Sequence, residues 1–129
     1  MPITADDLLK LAEDILNAKN AKEVNFRNSA GRSYYAIFHF CKPLFDLIPE
    51  IESESRLTSH KKSVSKLKRS ANTDIRELGN IMDQGRAKRT IADYKIRRPF
   101  HKAHSEELLG FAKTVKAITA KITANPSSQ

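Results

Sequence analysis

The chain has 129 residues, 40% of them apolar, enough to fill one core and too few for a second domain. Four Gly, five Pro and no Trp favour helices over a turn-rich β fold, and the lone cysteine, Cys41, excludes an internal disulfide and a multi-cysteine zinc site. The formal net charge is +8, which points to acidic partners, and no apolar run approaches the roughly 18 residues that span a bilayer.

Met1-Pro2-Ile3-Thr4 leads straight into an acidic amphipathic segment, so no signal peptide, no membrane partner and a cytoplasmic location are expected. Thr4 reads as an N-cap, with Asp6 and Asp7 in the first turn, where the helix dipole favours negative charge. Leu8, Leu11, Ala12, Ile15 and Leu16 form one stripe, which predicts a first helix to about Ala18 and a turn over 19–22. In the second helix Phe26, Ala30, Tyr34, Ile37, Cys41, Leu44 and Ile48 recur at steps of three and four, keeping one face buried for about six turns. Pro43 lies inside it and cannot bond the carbonyl of His39, so a kink or a free carbonyl is expected.

Pro49 to Ser59 is polar and acidic and reads as a loop. Thr58 or Ser59 caps a third helix through Val64 and Leu67. Asn72 or Thr73 caps a fourth over Asp74 to about Ala92, weakened by Gly79 and Gly85. Tyr94 to Arg98 is expected to be extended, with Pro99 as the first residue of the last helix. Phe100, His104, Leu108, Phe111, Val115, Ile118 and Ile122 are expected to line that helix's inner face, and residues 125–129 to form a flexible tail. The expected fold is all-α: an antiparallel up-and-down bundle of four to five helices over residues 1–124.

Charge is segregated. Residues 1–55 hold six Lys/Arg against nine Asp/Glu, a net of −3, whereas residues 56–102 hold fourteen against four, a net of +10. Such density suits a polyanion, since each neutralised phosphate releases counterions. A solvated helix surface or a face for an acidic protein gives the same pattern.

Three runs carry a family resemblance. Arg27-Asn28-Ser29-Ala30-Gly31-Arg32-Ser33-Tyr34-Tyr35-Ala36-Ile37-Phe38-His39 resembles the second helix of HEPN-domain proteins, which carry a similar R-x-Y-Y-A-x-F-H run. Ser59-His60-Lys61-Lys62 is similar to the family's T-H-[KR]-G, and Arg89-Thr90-Ile91-Ala92-Asp93-Tyr94 to its R-x-x-A-D-Y. Order and spacing agree from about Leu8 to Ile122. The resemblance implies a helical bundle that usually forms homodimers. It also implies either a metal-independent endoribonuclease of a toxin–antitoxin, phage-defence or CRISPR-type system, or a silent interaction module that partners a nucleotidyltransferase or another protein. The family's nucleases carry Arg, four to six residues, then His.

Arg32 and His39 have that spacing. Seven residues is nearly two turns, so both leave one helix face about 10.5 Å apart along the axis. A histidine near pKa 6.5 can move protons while arginine steadies a charged phosphorane, which is the chemistry of RNA cleavage to a 2′,3′-cyclic phosphate. The bland alternative is a surface arginine and a histidine packed beside Pro43. His101 and His104, downstream of Arg97 and Arg98, are a second candidate pair, although His104 falls on the expected apolar stripe. Arg97 and Arg98 at a helix start suit a phosphate. Arg86, Lys88, Arg89, Lys61 and Lys62 extend the candidate RNA-binding set, with Tyr35 as a stacking platform; His60 reads as a capping or packing residue. No His-x-x-x-His pair, metal cluster or glycine-rich phosphate loop is present, so no metal and no cofactor are expected.

Overall fold

The computed structural model describes residues 2–124, so the expected tail at 125–129 lies outside the described residues. Five α-helices follow one another: α1 (Ala5–Leu16), α2 (Glu23–Phe45), α3 (Ser59–Lys68), α4 (Thr73–Tyr94) and α5 (Lys102–Ala124). A single 3-10 turn, Glu52–Glu54, interrupts the α2–α3 connection, and no strand occurs among the described residues. The caps explain where helices begin. Thr4 accepts the N–H of Asp7, whose carboxylate accepts that of Thr4 in return. Thr58 accepts from Lys61, and Asn72 from both Asp74 and Ile75.

α2 is the central element, packed on α1, α4 and α5. Its Ala30, Tyr34, Ile37 and Cys41 are buried along one stripe, as the spacing predicts. Ion pairs fix the helix directions. Glu13 meets Lys113 and Asp6 meets Lys116, so α1 runs against α5. Lys88 meets Glu107 and Asp74 meets Lys121, so α4 does too. The Ser29 hydroxyl donates to the carbonyl of Ala12, while Arg27 reaches Ile91 and Ala92. α2 is therefore antiparallel to α1 and α4, and runs the same way as α5.

The glycines that weaken α4 on propensity permit its close packing. A Cβ on Gly79 would stand 3.2 Å from the backbone nitrogen of Lys68, where α3 crosses. One on Gly85 would stand 3.3 Å from Ile37 and Leu108.

Four boundaries differ from the expected ones. α4 runs on through Tyr94, and residues 96–98 form a turn closed by the Arg98 N–H on the Lys95 carbonyl, in place of the extended run expected over Tyr94 to Arg98. α1 ends at Leu16 and turns through Asn20, whose φ of 63° is a left-handed value that Asn tolerates better than most residues. α2 continues through Pro43 but stops at Phe45, short of Ile48; Pro43 has no N–H to give the carbonyl of His39, and the helix ends within a turn of it. α5 starts at Lys102, not at Pro99. Phe100 is instead drawn into the core, its N–H donating to Glu23 Oε1 at 2.9 Å and its ring lying under the Arg27 guanidinium.

Candidate nucleic-acid interface

The three runs that carry the resemblance meet on one side of the molecule. Tyr34 and Tyr35 come from α2, His60 from α3, and Arg89, Asp93 and Tyr94 from α4. Arg89 is the hub. Its guanidinium lies 5.4 Å from the ring centres of both Tyr34 and Tyr35 and 5.8 Å from that of Tyr94. Asp93 holds its Nε at 2.9 Å, and the Tyr35 hydroxyl lies 3.4 Å away. Arginine's flat, weakly hydrated cation suits such stacking.

Beneath this hub the Tyr34 hydroxyl bonds His60 Nδ1 at 2.5 Å, both side chains being buried. His60 Nε2 has no hydrogen-bond partner and faces Asp83 Oδ1 at 3.6 Å. That carboxylate favours a proton on Nε2, leaving Nδ1 to accept from Tyr34. Burial, and then the charge of Arg86, push the His60 pKa below its ordinary value against the pull of Asp83. Burial likewise pushes the Tyr34 phenol up to about 12. Both groups are neutral at pH 7, so the pair locks α2 to α3 without a buried charge.

Arg32, Tyr35 and His39 lie three and four residues apart on one open edge of α2. The Arg32 guanidinium lies over the Tyr35 ring at 5.4 Å. His39 is exposed at the rim of a groove shared with Pro43 of α2 and Lys116 of α5. No hydrogen bond joins Arg32 to His39 among the described residues, and seven residues of continuous helix separate them.

The second histidine pair is arranged differently from its expected form. His104 is exposed and lies off the buried stripe, which runs through Ser105, Leu108, Leu109, Ala112, Val115 and Ile122. His104 Nδ1 accepts the N–H of His101 at 2.9 Å, and the two rings stack at 5.4 Å, so this pair closes the first turn of α5.

The candidate phosphate contacts divide in two. Lys62 is paired with Glu50 at 2.7 Å, Lys88 with Glu107 at 2.6 Å, and Arg89 with Asp93. Arg97 and Arg98 are exposed and meet no carboxylate among the described residues, and Lys61 is exposed at the start of α3. Arg86 is half-buried, and its charge acts on both Tyr34 and His60.

What holds the arginine loop is a residue that sequence reasoning passed over. Arg27 donates to the carbonyls of Ile91, Ala92, Lys95, Ile96 and Arg98, a tie between α2 and the whole α4–α5 connection. Its side chain is 12% exposed, and Glu23 pairs with it at 3.5 Å. The backbone N–H of Phe100 and the charge of Arg27 hold the Glu23 carboxyl below its usual range, against burial. A signal was present: Arg27 precedes Ala30 and Tyr34 by three and seven residues, on the buried stripe, where an unpaired charge is rare.

Among known proteins nothing matches: no family model fits the chain, and no curated protein or solved structure is significantly similar. No group of three or more His, Cys, Asp or Glu is placed to hold a metal among the described residues, and no described helix is long and apolar enough to cross a membrane.

Proposed function

We propose that this protein is a HEPN-like RNA-binding protein, and that single-stranded RNA lies across the 95–101 loop, the Arg89 hub and the open edge of α2. The observation that carries the reading is the pair Arg97–Arg98, presented outward without counter-charge on a loop that Arg27 fastens from within. Tyr94 (67% exposed) and Tyr35 (36%) stand nearby as flat surfaces for bases. A homodimer is part of the reading, since symmetric pairs are the commonest oligomers.

Cleavage is the second part. Arg32 and His39 share the open edge with Tyr35, so a strand stacked on Tyr35 runs past both. His39 then takes the proton of the 2′-hydroxyl as its oxygen attacks the phosphorus and returns it to the departing 5′-oxygen, while Arg32 is the cation beside the phosphorane; the products are a 2′,3′-cyclic phosphate and a 5′-hydroxyl, without a metal. The capping role of His104 supports His39 over the second pair. The rival reading, a silent module partnering a nucleotidyltransferase or another protein, draws on the exposed apolar side chains of Val24 and Ile96.

Fluorescence anisotropy with single-stranded RNA across a salt series tests the binding. Replacing Arg97 and Arg98 by Ala is expected to weaken it and to flatten the logarithmic salt slope by about 0.7 per lost phosphate contact. An unchanged slope removes the loop from the interface. For cleavage, His39→Ala must abolish product in EDTA while His101→Ala and His104→Ala leave it; the reverse pattern moves the chemistry to α5.

A further inference from the structure

The arginine loop does more than display charge. Where it turns into α5 it walls a partly enclosed cavity of about 170 Å³, lined by Lys88, Ile91, Arg98, Pro99, Phe100 and His104. Its floor is apolar: Phe100 is buried and Ile91 half-buried. Two permanent cations and an imidazole line it, and no carboxylate does. The first turn of α5, the positive end of that helix, begins two residues after Phe100. On its other side Arg98 also lines a more open groove of about 300 Å³, with Tyr94, Lys95, Ile96 and Arg97.

Size and charge together narrow the occupant. The cavity is well under the roughly 300 Å³ at which pockets for whole small molecules begin, so it takes a group and not a molecule. It is more closed than the groove beside it, so a strand lying in the groove ends in the cavity and does not thread through it. The convergence of cations suits a phosphomonoester, which carries roughly −1.5 to −2 charges at pH 7, over the single charge of an internal diester. Lys88 already holds one anion, the Glu107 carboxylate at 2.6 Å, which a bound phosphate must displace or outweigh.

We propose that this cavity receives the terminal phosphomonoester of an RNA strand, with Arg98 bridging it to the strand body in the adjoining groove. The proposal rests on the RNA-binding reading above. It makes the protein a reader of strand ends, and it gives Glu107 a role as competing anion.

The test uses three otherwise identical single-stranded RNA oligonucleotides, with a 5′-phosphate, a 3′-phosphate or hydroxyls at both ends, titrated into the full chain and followed by anisotropy. One phosphorylated strand is expected to bind about tenfold more tightly than the hydroxyl-ended strand, the worth of one or two charge-assisted hydrogen bonds. Which of the two does so identifies the end. Arg98→Ala is expected to erase the preference, whereas Arg97→Ala weakens all three strands and keeps it. Glu107→Gln is expected to increase the preference about threefold, because it removes the competing carboxylate and leaves Lys88 in place. Equal affinity for the three strands overturns the cavity's role while RNA binding stands. If no strand binds, 5′-AMP against adenosine decides. A preference for AMP keeps a phosphomonoester site and discards RNA as its source, and no preference discards the site altogether.

Discussion

Two connections of this bundle are built with the same device and reach opposite electrostatic results. In the α2–α3 connection, Arg69 at the end of α3 reaches back to the carbonyl of Pro49 and grips Glu54 through two nitrogens at 3.1 Å. Glu54 is 1% exposed and also accepts from Ser65 and from the N–H of Ile51. The bond to Arg69 holds its carboxyl down at about 2, against burial and with help from Ser65 and Ile51. In the α4–α5 connection, Arg27 plays the part of Arg69 but collects carbonyls, and its carboxylate, Glu23, is half-exposed and committed to Phe100. The first loop is closed by a neutralised pair; the second is closed by a cation and points further cations outward. A sum over residues 56–102 cannot see this. Arg69 belongs to that net of +10 and is neutralised by Glu54, and Arg76 is bound to the carbonyls of Ser70 and Ala71.

The comparison breaks most visibly at Arg69. Arg69→Ala strands a buried carboxylate, and breaking such a pair costs about 3 kcal/mol or more. A chemical melt reads this directly. Glu54 also makes the fold acid-sensitive in a stated direction. Its folded pKa of about 2 lies below its ordinary 4.5, so its contribution is complete above about pH 4.5. It is lost as pH falls toward 2, because the unfolded chain takes up the proton first. Arg69→Ala is expected to flatten stability against pH between 5 and 2, and an undiminished slope would assign the acid response to other carboxylates.

A smaller effect is expected at Arg27. Arg27→Lys retains the charge and loses the fork that reaches five carbonyls, for a loss of about 2 kcal/mol, in the range for hydrogen bonds to charged groups. The more telling readout is local. Amide exchange over 95–101 should accelerate while that of α2 and α5 holds, and RNA affinity should drop with Arg97 and Arg98 still present. Uniform exchange across the chain would make Arg27 an ordinary core residue.

Glu23→Gln gives the smallest change. The amide oxygen can still accept from Phe100, so stability should barely move. The loop becomes one charge more positive, and RNA binding at low salt should tighten severalfold. If it weakens instead, Glu23 matters through geometry and not through charge.

The helices were legible because apolar residues recur at three and four steps and because Thr4, Thr58 and Asn72 can accept a backbone N–H. The buried faces of α2 and α4 follow from that alone, whereas in α1 Leu11, on the expected stripe, is 45% exposed and Leu9 is buried in its stead. What escaped was every feature decided by a distant partner. Glu54 sits in a stretch that reads as an acidic loop, and only Arg69, fifteen residues on, buries it. Pro99 is a sound local start for a helix, but Glu23 and Arg27 compete for Phe100 and move the start to Lys102. His60 was expected to cap or pack, and it packs, yet nothing local announces that Tyr34 completes it. Of the candidate basic residues, Arg97, Arg98 and Lys61 are exposed, whereas Lys62 and Lys88 carry acid partners from distant elements that spacing does not reveal; the Arg89–Asp93 pair, four residues apart on α4, was legible.

The directions of the helices have a consequence for how the molecule can be held. α1 begins and α5 ends beside the C-terminal end of α2, where Asp6 pairs with Lys116 and where His39, Pro43 and Ala124 border one groove. The α1–α2 turn with Lys19 and Lys22, and the loop of Arg97 and Arg98, close the opposite pole. A tether joined at the start of α1 or the end of α5 therefore grips the protein at the pole away from Arg97 and Arg98, like a brush by its handle, on the same side as His39. Under the proposed RNA-binding reading, immobilisation at that pole leaves capture by the arginine loop open but crowds His39, whereas an insertion at 95–101 blunts capture.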